Sequence, residues 1–193
     1  MTTAGTSHFN LLSIEEIHKF NQTVIDSFNG QKIIGIPALS TLETKKFIIN
    51  SKKYLDDNCS LMFLYPERFY DENTIKKYMS DMSNTAENKI YIHAKTLKNA
   101  ISGDWDYTSK IINDLYEKNV LKGIKEEHSS LIKSYDFVSE INENVDVIVA
   151  GGSMRRYEFL KSAGASSFLS GVGNLFPEIE QKYLNGEMKK PLE

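Results

Sequence analysis

The chain has 193 residues, 40% apolar and 25% charged, with a net charge of −3 and both signs interspersed, the make-up of one globular domain with a sizeable core. That balance offers no basic footprint for nucleic acid or a membrane surface. The single cysteine, Cys59, excludes an intramolecular disulfide and any zinc site built from several thiolates.

Met1 to Gly5 lacks the charged start and apolar stretch of a secretion signal, and no apolar run nears the ~20 residues of a membrane span. The expectation is a soluble, cytoplasmic protein with one domain over 1–193. In chain order, a strand end over Met1 to Thr6 is followed by an amphipathic stretch, Ile14 to Phe28, with Ile17, Phe20, Val24 and Phe28 at helical spacing. The run Lys32 to Leu39 reads as a strand, and Thr41 to Leu55 as a helix behind a Ser40/Thr41 cap with Glu43 close by. Strand Ser60 to Tyr65 precedes helix Asp71 to Met82, and strand Lys89 to Ala94 precedes helix Asp106 to Lys118. Leu121 to Lys125, Asp146 to Gly151 and Ser166 to Val172 complete the strands, with helices over Ser129 to Ile141, Ser153 to Ala163 and Leu175 to Leu184. Continuous apolar strands suit a parallel sheet covered on both faces. The repeat of roughly 25–30 residues is the size of a βα unit.

Such a repeat builds either a doubly wound sheet or a (β/α) barrel. Polar and glycine residues collect at the C-terminal ends of several strands, where a barrel keeps its reactive groups. No GxGxxG or Walker A loop marks a nucleotide fold, and Gly151-Gly152-Ser153 is too short to count as either. The prediction is a parallel (β/α)8 barrel with about seven units present.

Lys125 stands out among the candidate residues. Period-two alternation sets Gly123 and Lys125 on one strand face and Ile124 on the other. An inward lysine can form an imine with a keto compound, whereas one that snorkels from a strand end is merely solvated. Alternation also puts Tyr91 and His93 on one face of their strand, and an inward histidine could move protons. Gly5-Thr6-Ser7-His8 offers hydroxyls and backbone N–H groups for a carboxylate, or an ordinary turn and cap. Lys95, Lys98, Arg155 and Arg156 could pair with a substrate carboxylate or line a solvated rim. Glu126 and Glu127 could hold Lys125; as adjacent residues on opposite faces they are weak evidence for a metal site.

Lys122-Gly123-Ile124-Lys125-Glu126 resembles the G-I-K-[ED] strand of the dihydrodipicolinate synthase / N-acetylneuraminate lyase family of class I aldolase barrels. The segment Thr3 to Glu16 is similar to that family's glycine- and threonine-rich turn and the helix start after it. Val149-Ala150-Gly151-Gly152 resembles its seventh strand end, and Ser170 to Pro177 its eighth strand and following loop. The resemblance implies a Schiff base on Lys125, a substrate carboxylate held by Gly5, Thr6 and Ser7, and a role for Gly151 at the substrate. It implies keto acid and aldehyde substrates, no cofactor and no metal, and a dimer or tetramer.

Several positions depart from the family. Ser7 and His8 stand where Gly and Glu are usual, and His93 falls where the family has its proton-shuttling tyrosine, with Tyr91 one inward position earlier. Lys98 falls near the family's carboxylate-binding arginine, and lysine is the poorer bidentate partner. Tyr65 lies near the tyrosine that completes a proton relay across a dimer interface. Against the family, the chain is expected to lack the first strand and the extra C-terminal helices. The expected function is a pyruvate-type lyase or aldolase. The alternatives are a catalytically silent or regulatory relative, a keto-deoxy sugar acid or N-acetylneuraminate lyase, and an unrelated phosphate-binding protein using Gly151-Gly152-Ser153 with Arg155 and Arg156.

Overall fold

The computed structural model describes residues 1–2, 11–64, 68–69, 71–99 and 101–188, leaving aside the side chains of 68, 69, 98, 99 and 153. Its core is a six-stranded, wholly parallel sheet. The strands are β1 (Lys32–Ile36), β2 (Cys59–Phe63), β4 (Ile90–Ala94), β7 (Leu121–Glu126), β8 (Asp146–Val149) and β9 (Ser167–Phe168), joined in that order. Each new strand is added on the same side as the last. A doubly wound sheet reverses direction at its switch point; this one never does, so it is an incomplete (β/α) barrel. Thr2 extends the sheet beyond β1 through a parallel bridge to Ile34, with Thr2 N–H donating to Ile33 O at 2.9 Å. The expected strand end therefore begins here, and the rest of it lies outside the described residues. A small second sheet, β3 (Arg68–Phe69), β5 (Leu97–Asn99) and β6 (Gly103–Trp105), was not foreseen, because strands of two or three residues carry no readable periodicity.

The helices are α1 (Ile14–Ser27), α2 (Thr41–Ser51), α3 (Glu72–Ala86), α4 (Ser109–Glu117), α5 (Leu131–Ser139), α6 (Ser153–Leu160) and α7 (Pro177–Leu184). Polar side chains fix where most of them begin. Ser13 and Glu16 form a capping box on α1, and Ser40, Asp71, Thr108 and Ser130 accept from the first-turn N–H groups of α2 to α5.

Alternation divides the strand residues between two layers. Ile34, Ile36, Leu61, Phe63, Ile90, Ile92, Leu121, Ile124, Val147 and Val149 face the helices and join Ile17, Phe47, Ile75, Met79, Ile111, Leu115 and Val138 in the main core. Met62, Tyr91 and Ile148, with Ile33 and Leu169 against them, make a smaller inner cluster. Between β4 and β7 the register slips. Ile90 faces Leu121 but Tyr91 faces Gly123, so Lys122 is one residue more than β4 can match. Leu121 and Ile124, three apart, consequently both face the helix layer, and Gly123 and Lys125 face inward. The extra residue is a bulge of the kind that re-aims a strand's side chains.

Candidate active site

Lys125 and His93 are register partners on neighbouring strands, and Ile148 flanks Lys125 on β8. Both residues are buried, at 8% and 3% exposure. The residue that joins them is Glu127. Its backbone N–H donates to Ala94 O at 3.1 Å, carrying the β4–β7 pairing one step beyond the strand. Two positions after Lys125, Glu127 returns to the inward face. A single carboxylate oxygen, Oε2, lies 3.1 Å from Lys125 Nζ and 2.6 Å from His93 Nε2.

The electrostatics follow from this sharing. The hydrogen bond from His93 lowers the Glu127 carboxyl to about 2, against the opposing pull of burial and with help from the Lys125 charge. Glu127 is therefore ionised near neutrality and can only accept, so the proton on His93 resides at Nε2. Burial pushes His93 below its ordinary value, Glu127 pushes it back up, and the charges of Lys125 and Lys95 push it further down. The other ring nitrogen, Nδ1, is buried without a hydrogen-bond partner among the described residues.

Gly151 stands behind this carboxylate. Its φ of +67° is left-handed, and a Cβ there would sit 3.4 Å from Glu127 Cγ, so glycine supplies both the turn and the room.

Glu126 faces the other way and does different work. It is fully buried, receives Arg156 Nη2 at 3.0 Å and Nε at 3.2 Å, and accepts from Ser134 Oγ at 2.7 Å and the His128 backbone at 2.9 Å. Burial alone would raise its carboxyl, but the bonds from His128, Arg156 and Ser134 hold it at about 2. Arg156 also donates to His128 O at 2.8 Å. Its guanidinium is thus spent on β7 and the loop after it, a correction to its reading as a carboxylate or phosphate binder. The two glutamates diverge, so they do not form a joint ligand set, and no cluster of metal-binding side chains occurs among the described residues.

Tyr91 is placed one inward step below Lys125, level with Gly123 and Asp146. Its hydroxyl donates to Asp146 Oδ2 at 2.5 Å, and burial, reinforced by that carboxylate, pushes it above the ordinary phenol range. Ser166 completes the group from the other Asp146 oxygen. Tyr91 is therefore not brought to Lys125. Gly5, Thr6, Ser7, His8 and Tyr65 lie outside the described residues, and for Lys98 only the backbone, in β5, is described.

A six-stranded, singly wound parallel sheet is a specific arrangement, and solved structures share this fold. Dihydrodipicolinate synthase from Bacillus clausii superposes with a TM-score of 0.76 at 21% identity, over 95% of this chain and 61% of that one. The fold is that of dihydrodipicolinate synthase. The enzyme from Oceanobacillus iheyensis gives a TM-score of 0.74 at 20% identity, over 95% and 60% of the two chains. A 2-keto 3-deoxygluconate aldolase from Picrophilus torridus gives 0.70 at 17%, over 94% and 65%. The chain thus spans less than two thirds of these dihydrodipicolinate synthase and aldolase chains. No family model and no curated protein matches it in sequence, so the likeness is one of fold. No helix among the described residues is long and apolar enough to cross a membrane.

Glu127 is the site residue whose role the sequence left undecided. The signal was present: a carboxylate two positions after an inward lysine shares its face. The bulge at Lys122, which settles which face is inward, is invisible without the partner strand.

Proposed function

We propose that the chain carries a lysine-dependent lyase or aldolase site acting on pyruvate or a pyruvyl-containing substrate. The observation that carries this reading is Lys125 itself: buried, inward, and grouped with an ionised carboxylate and a neutral imidazole. The fold shared with a synthase and an aldolase supports it.

In this reading the neutral form of Lys125 attacks the keto carbon. Gly5, Thr6 and Ser7 receive the substrate carboxylate, Gly151 leaves room beside it, and Lys98 attracts a carboxylate or hydroxyl on the second substrate. His93 serves the proton transfers of imine formation. The enamine then adds to an aldehyde, or the reverse cleavage occurs. The imine is the electron sink, so the chemistry calls on no metal or organic cofactor. The partners are a keto acid and an aldehyde, and the working form is a cytoplasmic homo-oligomer.

One observation favours a second reading, a catalytically silent relative: Lys125 Nζ lies 3.1 Å from the Glu127 carboxylate, an ion pair that a purely structural lysine also makes. Borohydride trapping with pyruvate, followed by intact mass and peptide mapping, separates the two. A reduced adduct on Lys125, absent in Lys125→Ala, is the expected result. A folded sample that gives no adduct at any pH from 6 to 9 overturns the lyase reading and leaves the silent one.

A further inference from the structure

Glu127 is unexplained by its pairing alone. An ion pair gives the nucleophile no help in its first step, the attack on the keto carbon. The same oxygen becomes useful in the next step. Once Lys125 Nζ has become the nitrogen of an iminium, the substrate carbon that must lose a proton is two bonds from that nitrogen. A carboxylate oxygen at 3.1 Å from Nζ lies within the reach required of a general base.

We propose that Glu127 is a catalytic residue of the proposed lyase, the base that takes the carbon-bound proton when iminium becomes enamine. The inference rests on Lys125 forming the imine. The C–H bond next to the imine carbon breaks, and its electron pair becomes the C=C bond of the enamine. The C=N electrons return to nitrogen, which loses its positive charge, and the proton moves to Glu127 Oε2. A cation and an anion thereby become two neutral groups, the direction that a site removed from water favours.

Three features of the structure fit this role. His93 donates from Nε2 to the same oxygen at 2.6 Å and holds the carboxylate over Nζ. The Glu127 side chain is 38% exposed, so a substrate can meet it, while Lys125 and His93 beneath it are buried. Gly151 gives the side chain the space to lie there. The low proton affinity of the resting carboxylate is no obstacle. It comes from the His93 bond and the Lys125 charge, and the second of these disappears as the enamine forms.

The test uses pyruvate alone, in D2O, with no aldehyde. Loss of the methyl proton signal in NMR spectra reads deprotonation, and borohydride trapping reads the imine. Glu127→Gln is expected to keep the Lys125 adduct and to slow methyl exchange about 100-fold or more. Glu127→Asp, which keeps the carboxylate one methylene further back, is expected to fall between. An adduct with exchange at the unmutated rate in Glu127→Gln overturns the proposal. Equal loss of adduct and exchange in both variants overturns it too, because Glu127 would then only support Lys125. Absence of an adduct in the unmutated protein overturns the lyase reading, and this proposal with it.

Discussion

At the scale of single residues, two neighbouring glutamates show how much one step along a strand decides. Glu127 serves the inward face and remains open to a substrate, whereas Glu126, sealed in the helix layer, is a tie between β7 and α6. Removing one partner of a buried, hydrogen-bonded charge pair leaves the other uncompensated. Arg156→Leu is therefore expected to cost about 3 kcal/mol, read as a lower midpoint in urea denaturation with an unchanged slope. A variant that unfolds like the unmutated protein would contradict the tie. The identity of Lys125 as a candidate was legible from alternation and from its strand motif. The role of Arg156 was not, since whether an arginine faces a ligand or a buried carboxylate depends on a contact 30 residues away.

At the scale of elements, strand positions were readable because a parallel strand buried on both faces is an unbroken apolar run, and six such runs became six paired strands. Helix starts were readable where a side-chain cap announces them. Helix ends were less so: the stretch read to Leu55 stops at Ser51, and the stretch read to Ala163 passes into a short 3-10 turn after Leu160. Gly123 shows what strand composition hides. A Cβ there would stand 2.4 Å from Asp146 O and 2.5 Å from the Tyr91 ring, so the glycine exists to let that ring cross the interior to Asp146. Gly123→Ala is expected to destabilise by about 2 kcal/mol through overpacking, measurable as a thermal midpoint lower by roughly 4–8 °C. An unshifted midpoint would mean that β7 and β8 can part at no cost.

At the scale of the whole molecule, the buried carboxylate should govern acid tolerance. Glu126 binds its proton at about 2 in the folded protein against 4.5 when free. A depressed carboxyl adds stability that is fully present above the unfolded value and is lost as the pH falls through the folded one. Stability should therefore drop between about pH 5 and pH 2, with roughly 3 kcal/mol of the drop due to Glu126. In Glu126→Gln the curve should start lower and run flatter over that range; an equally steep curve would assign the acid sensitivity to other groups. The bulge in β7 has a molecule-wide consequence too. One surplus residue gives a single strand two facings: Leu121 and Ile124 anchor the helix layer, three positions apart, while Lys125 opens into the lumen. The bulge thus uncouples the facing of Lys125, fixed by its pairing with His93, from the facing of Leu121 at the strand's start. Loss of Lys122 would leave every pairing with β4 in place, Leu121 and Ile124 toward the helices and Lys125 toward the lumen by plain alternation, so the surplus residue is a reserve of length that the strand can lose without turning its nucleophile away.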